Sequence, residues 1–521
     1  MPLNYRVPFL VFPWFDTREI TQGRFKFLND SADYGSQIDW QAHGKNLLWR
    51  YNLNYFHYLN THGGVDSDTA LLLMKDWIAH NPPGTFVAWD PYPISLRIVN
   101  WIKYISQTGI SKEKCKPVCR SAYQQTLWLE RSLERHLLGN HLFKNSKALV
   151  FAGLFFKSSV AKRWLAKGLR LLNRELDEQI LSDGGHIERS LMYHSMILED
   201  CLDLINVCQK HHCHDFKDLL KHLKYLTHKM VHFLCGMIHP DGKIALFNDA
   251  AFEIEALPSD LMAYYERLTG KKVLTPEGPM WSFPVTGYFV MSPRPGDRML
   301  IDCGPIGPDY LPGHAHCDTL SFELSINGSR VIVDSGCYTY EDSEMRRYNR
   351  GNAGHNILSL NEENQSEMWD SYRCARRAYP LEPRIGQDFK GLFFEGGHDG
   401  YSRLPGQPIH MRRISWQESV LRIDDEILGH GSYNFDLRLH LNPMCKVTIR
   451  EGEVWIKCEE QVVMTIRPLG IGDLDLEQGW YCPEFGQRFR CPVLTLKGRE
   501  DAPFRTGWEI NFCGDFDNSC H

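Results

Sequence analysis

The chain lacks the features that mark several specialised classes. No apolar run reaches the length of about 20 residues that a membrane-spanning helix requires. Basic charge is not in surplus. The 521 residues carry a formal net charge of -6, so the protein is not built as a polycation and nucleic acid is not an expected partner. The N-terminal stretch from Met1 to Phe15 is apolar but broken by Pro8 and Pro13, and it has neither a clean signal-peptide core nor a small-residue cleavage site. A cytoplasmic location is therefore expected, or a periplasmic or secreted one if the N-terminus is incomplete. The 16 cysteines show no framework spacing: Cys115, Cys119, Cys201, Cys208 and Cys213 read as scattered thiols on helices, which favours a reducing compartment. No strict internal repeat is present.

Hydrophobic content of 43% and charged content of 23% are ordinary for a globular protein. The length exceeds what one hydrophobic core serves, so two or more domains are expected. Residues 1–40 are irregular and rich in Phe, Trp and Pro, and read as an N-terminal arm. From Trp40 to about Leu268 the pattern is helical. Leu71–Ala79, Ser95–Tyr104 and Leu198–Val207 each place apolar residues at helical spacing, with polar or Gly/Pro breaks between such runs. A series of helical hairpins fits a solenoid or a closed α/α toroid. Near Pro276 the character changes to short alternating runs such as Met299–Asp302, Leu421–Asp424 and Leu437–Leu441, which read as an antiparallel sandwich. The fold class expected is multidomain α+β: a helical domain over 41–275 followed by a β-sandwich domain over 276–521.

The richest stretch runs from Tyr310 to Asn356. If His314 to Phe322 is a strand, then His314, His316 and Asp318 share a face. Asn327-Gly328 followed by Val-Ile-Val predicts a hairpin, since both turn residues tolerate positive φ. That hairpin carries Asp334 back toward the histidines, and His355 follows. Two readings stand: a polar sheet face with hydrogen-bonded histidines, or a metal site, since neutral imidazoles and a carboxylate suit Zn, Mn or Fe.

Three stretches stand out in the helical half. Gly139-Asn140-His141-Leu142 can open a helix, with Asn140 as a cap. Asp183-Gly-Gly-His186-Ile-Glu188-Arg189-Ser-Leu-Met-Tyr193-His194 is a glycine-bearing loop feeding a helix, dense in groups that donate, accept or move protons. Leu246-Phe247-Asn248-Asp249-Ala250 reads as a loop and cap.

Together with Gly-His-Ala-His-x-Asp-x-Leu-Ser-Phe-Glu-Leu and Val-Asp-Ser-Gly, these motifs resemble the heparinase II/III-type polysaccharide lyases, in the same order and from about Trp40 to Arg377. The resemblance implies an N-terminal α/α toroid, a C-terminal antiparallel β-sandwich, a cleft between them, and β-elimination on uronate-containing polysaccharides such as glycosaminoglycans or alginate-like polymers. It implies that Asn140 neutralises the uronate carboxylate with His141 beside it, that Tyr193 is an acid/base, and that His314 is a second acid/base approaching the opposite sugar face. It also implies a structural divalent metal, zinc before manganese, on His316, Asp334 and His355. An acidic polysaccharide is then the expected partner. The oligomeric state is left open.

Around this site Trp49, Tyr51, Tyr55, Trp89 and Tyr92 can stack on sugars, although core packing is the commoner role of such residues. Arg97, Glu188 and Arg347 are expected to meet substrate, as are Arg346 and Arg350. Lys144 and Cys317 depart from the family pattern; a lysine there can alter substrate charge preference. Three alternatives compete. An iron oxygenase leaves Asn140 and Tyr193 without a role. Hydrolysis by Asp183 and Glu188 gives no unsaturated product. A non-catalytic polysaccharide-binding or exopolysaccharide-assembly accessory uses the scaffold alone.

Overall fold

A computed structural model describes residues 3–211, 214–458 and 461–513; Cys213 lies outside them. The chain divides into two compact units that are not simple halves of the sequence. The helical unit takes the chain up to Gly184, then Tyr193–Val231 and Glu253–Val273. The β unit takes Gly185–Met192, His232–Phe252 and everything from Leu274 onward. The multidomain α+β architecture expected from the sequence is the one observed, with helices first and antiparallel sheets after.

In the helical unit local chemistry starts and stops each helix. Asp66 accepts from Thr69 N to cap Ser67–His80, and Ser158 accepts from Ala161 N to cap Ser159–Gln179. The helix Pro91–Thr108 opens with proline in its first turn and closes at Gly109, whose φ of 63° is cheap only for glycine. The N-terminal arm is pinned to this unit by polar side chains: Leu3 N donates to Ser106 Oγ, and Arg6 N and Val7 N both donate to Asn206 Oδ1.

A buried ion network joins two helices that matter below, Gly139–Phe155 and Leu191–Cys208. Lys144 Nζ lies 2.9 Å from Asp200, and Lys147 Nζ lies 2.6 Å from Asp200 and 2.5 Å from Asp203. Lys103 adds a 2.5 Å contact to Asp203. Burial works against the Lys147 ammonium, but Asp200 and Asp203 outweigh it and raise its pKa. Buried pairs of this kind roughly break even in stability against apolar packing, yet losing one partner is costly. Their effect here is to fix the register of the two helices. Lys144 is therefore engaged internally and is not a substrate-facing charge.

Among the described residues the β unit contains three large antiparallel sheets. A five-stranded meander runs in sequence order from Met280–Phe283 to Ser329–Ile332. An eight-stranded sheet is centred on Val420–Leu428 and Phe504–Phe512, and a four-stranded sheet on Ser432–His440 and Phe489–Asp501. One hydrophobic core draws on all three, with Met299, Phe322, Ile423, Leu437 and Leu494 fully buried. The expected hairpin is present: Asn327 and Gly328 have φ of 50° and 88° between Phe322–Ile326 and Ser329–Ile332.

The expected strand over His314–Phe322 is not formed before Phe322. Pro312 and Gly313 turn the chain, and the amides that follow are satisfied outside any ladder. His316 N donates to Asn248 Oδ1, and Cys317 N donates to the Arg350 carbonyl. No helix of the described residues is long and apolar enough to cross a membrane.

Candidate active site

In the β unit the His314 loop is organised by one carboxylate. Asp249 Oδ2 accepts from His314 Nδ1 at 2.9 Å, and Asp249 Oδ1 accepts from His316 Nε2 at 2.8 Å. Arg346 binds both oxygens of Asp249, through Nη2 at 2.9 Å and through Nη1. Burial alone pushes the Asp249 carboxyl up; Arg346 and the two imidazole hydrogen bonds reverse this and hold it well below the usual carboxylate range. An ionised carboxylate only accepts, so the facing nitrogens carry the protons. His314 thus has Nδ1 protonated and Nε2 directed elsewhere, with 15% of its side chain exposed and Glu188 Oε2 3.8 Å from Nε2. His316 is fully buried with Nε2 protonated and a bare Nδ1.

That bare nitrogen belongs to a second group. His316 Nδ1, His355 Nε2 and Asp318 Oδ1 are all buried without a hydrogen-bond partner. A ligand atom from each of these three residues lies within 4.8 Å of the others. Buried polar atoms are nearly always satisfied, so three orphans at one point call for a cation. Burial, opposed by Asp249, lowers the His316 pKa to about 3 and keeps its lone pair free. Burial also raises the carboxyl of Asp318 to about 6, and that of Asp302 well above the usual range, with the negative charges of their neighbours adding to both. A divalent ion would supply the charge this acidic group is short of, and the residues fit one. Asp334, the carboxylate the resemblance placed on the metal, accepts from His355 Nδ1 at 2.8 Å, and Asp318 is the carboxylate facing the other two ligand atoms.

In the helical unit Asn140 and His141 lie in the first turn of Gly139–Phe155, inside the helix, while Leu138 occupies the cap position. Asn140 is buried. Unsatisfied amides and the helix dipole make such a first turn favourable to negative charge. His141 Nδ1 bonds Glu134 Oε1 at 3.0 Å, and its ring stands 4.4 Å from that of Tyr92. Tyr92 is kept neutral first by burial and then by the neighbouring phenols of Tyr55 and Tyr193. The fold thus gathers His141, Tyr92 and Tyr193, the last on the opening turn of Leu191–Cys208.

Several expected substrate contacts prove internal. Arg97 is fully buried: its Nε, Nη1 and Nη2 donate to Gln125 Oε1 and to the carbonyls of Asn54 and Ala88, and its guanidinium stacks 3.9 Å over Trp77. An arginine so occupied is a brace for the helix, not a substrate contact. Trp89 is buried, donating to the Asn81 carbonyl and packing edge-on against Trp128. Glu188 is buried beside His314. Arg350 is spent on the carbonyls of Ala315 and Asp370. Arg347 alone of its cluster is exposed, paired with Asp342.

Two family descriptions cover nearly the whole chain, "Heparinase II/III N-terminus" over residues 18–271 and "Heparinase II/III-like, C-terminal" over 275–509. The chain belongs to the heparinase II/III-like family. This heparinase II/III-like protein is 28% identical over 390 residues to a heparin-sulfate lyase of Bacteroides stercoris, covering 70% of this chain and 55% of that one. A weaker relative is FtsZ-localized protein C of Caulobacter vibrioides, 21% identical over 74% of this chain and 67% of that protein. Among solved structures, heparinase III shares the fold with a TM-score of 0.71 at 18% identity, over 91% of this chain and 78% of that one. The chain spans about half the length of the curated heparin-sulfate lyases it matches, at 55%, 47% and 55%.

Asp249 and Glu134 carry no role that the sequence announces, and Arg346, expected to meet substrate, is instead buried against Asp249. Asp249 stood in a quoted motif, but nothing in Phe-Asn-Asp-Ala indicates that a carboxylate there serves two histidines more than sixty residues away. Glu134, seven residues before His141, carries no local signal at all.

Proposed function

We propose that this protein is a polysaccharide lyase that cleaves uronate-containing polymers, glycosaminoglycans foremost, by β-elimination. The reading is carried by the split geometry at Asp249. One carboxylate fixes the tautomers of two imidazoles, presenting His314 Nε2 for proton transfer and His316 Nδ1 for a metal. Family membership across both halves of the chain supports it.

Elimination removes the proton on the carbon next to the uronate carboxylate and then expels the 4-linked oxygen. Negative charge grows on the carboxylate, and a donor there lowers the barrier. Asn140 takes this role, helped by the positive end of its helix. His141, backed by Glu134 at Nδ1, adds a second donor when its ring is the imidazolium. His314, with Nδ1 held by Asp249, offers Nε2 as base when neutral and as acid when protonated. Tyr193 supplies the proton to the leaving oxygen, since phenols ionise only near pH 10. Having two acid/base groups of different chemistry allows uronates of both epimers to be cut.

His316, His355 and Asp318 would hold a divalent metal, zinc before manganese given the nitrogen and oxygen donors. Asp334 orients His355 from behind. The ion would supply positive charge and rigidity to the loop that carries His314.

The test is optical. Each elimination leaves a double bond conjugated with the uronate carboxylate, which absorbs in the ultraviolet, and hydrolysis leaves none. Incubation with heparan sulfate, chondroitin sulfate, hyaluronan and alginate is expected to raise absorbance on at least one, and Tyr193→Phe is expected to abolish the rise. Chain shortening without absorbance would overturn the proposal. Failure to cut any polymer would favour a binding or assembly role, a reading supported by the relative named for its localisation to FtsZ.

A further inference from the structure

The β unit has a cavity of about 490 Å³ lined by Asp309, Arg376, Arg377, Tyr379, Asp399 and Arg403 among others. Neither the proton-transfer groups nor the metal group accounts for it. Asp309 lies five residues before His314 in one loop, so their backbones stand at most about 18 Å apart. An aromatic path starts from the same histidine. The Tyr340 ring lies 5.8 Å from His314 and 5.8 Å from the Tyr372 ring. Tyr372 packs beside Gly313, where any side chain would meet it at 3.9 Å. Tyr372 and Tyr379 are each 46% exposed, and of the two Tyr379 lines the cavity.

The three guanidinium groups are not equivalent. Arg403 is spent on backbone carbonyls, including that of Gln365, and frames the cavity. Arg376 is paired with Glu367. Arg377 pairs with Asp309 at 2.9 Å, and that carboxylate is 76% exposed while Arg377 itself is 15% exposed. An ion pair with so wet an anion is weak. The planar guanidinium accepts a carboxylate or a sulfate equally well in its place.

We infer that this cavity is a second subsite for acidic polysaccharide, in which Tyr379 stacks on a sugar ring and Arg377 exchanges Asp309 for a sugar carboxylate or sulfate. The substrate class rests on the lyase reading; the cavity and its exchangeable ion pair do not. Bound here, a chain is held beyond the residue being cut, so longer polymers bind more tightly than short oligomers.

The experiment measures affinity by calorimetry on the full chain carrying Tyr193→Phe, against heparan sulfate and against unsulfated hyaluronan. Adding Tyr379→Ala or Arg377→Met is expected to weaken binding about tenfold, the scale of one charge-assisted contact. Adding Asp309→Asn is expected to tighten it about threefold by removing the competing anion, a direction that misfolding does not mimic. An effect confined to heparan sulfate assigns the site to sulfate, and an equal effect on both assigns it to carboxylate. Unchanged affinity in all three variants, or weaker binding with Asp309→Asn, overturns the subsite. The wild-type absorbance assay separates the two claims. Product formation with flat affinities defeats the subsite alone, and the expected affinities without product defeat the lyase reading alone.

Discussion

Replacing Asp249 by asparagine is the sharpest test of how the site is held. The substitution keeps the shape but deletes the charge that Arg346, His314 and His316 all face. Arg346 is 1% exposed, so the variant leaves a buried guanidinium without its counter-ion. Breaking a buried pair in this way costs about 3–5 kcal/mol. At roughly 2 °C per kcal/mol for a unit of this size, the Tm should fall by about 6–10 °C. An amide also turns an N–H toward one of the two imidazoles, which must then flip its tautomer or lose the bond. If that ring is His314, its Nε2 becomes protonated and fails as a base, a fault that elsewhere costs on the order of 10⁴ in turnover. Scanning calorimetry and the absorbance assay read the two effects separately. A variant with unchanged Tm and turnover within a few-fold of wild type would refute both the charge argument and the tautomer argument.

Asn140→Ala should stay folded and lose turnover by about a hundredfold or more, because it removes transition-state donation; near-normal rates in a folded variant would assign carboxylate neutralisation to another group. Elemental analysis of protein purified without added metal should find a divalent ion, and chelation or His355→Ala should lower both metal content and Tm; metal-free wild type of full stability would end the metal proposal. Glu255 gives a pH prediction for the helical unit. Burial pushes its carboxyl from 4.5 up to about 8, Lys144 opposing and Glu199 and Asp200 adding. Between those values the folded state keeps a proton that the unfolded state has lost, so stability falls as pH rises, by up to about 1.4 kcal/mol per unit, and the loss is complete above about pH 8. Glu255→Gln should flatten this decline in Tm between pH 5 and 8, and an identical slope in wild type and variant would exclude Glu255 as its source.

The fold class was legible because its signals are local. Helical periodicity, proline and glycine at helix ends, and the Asn327-Gly328 turn each act within a few residues. The site was legible only where a motif carries its chemistry in one stretch. His314, His316 and Asp318 were grouped by an alternation that assumed a strand; the structure brings His316 and Asp318 together through a turn held by Asn248 and Arg350. Arg97 misled for the opposite reason. A lone arginine on an apolar helix reads as functional, and only the distant carbonyls of Asn54 and Ala88 and the Gln125 amide show it to be satisfied internally. Asp249 was invisible because its partners come from two segments far along the chain, the His314–His316 loop and the helix that carries Arg346.

The β unit borrows Gly185–Met192 and His232–Phe252 from sequence that precedes its own sheets. Those borrowed pieces are not ornamental: they bring Glu188, Asn248 and Asp249 to the His314 loop. A gene fragment starting at the apparent boundary near residue 275 would therefore encode every strand of the three large sheets and omit the carboxylate that sets both histidines. During synthesis the same segments emerge before the strands they serve and must wait for them. Asp249 is encoded before that boundary and Arg346 after it, so cutting the gene there splits one buried ion pair between two pieces.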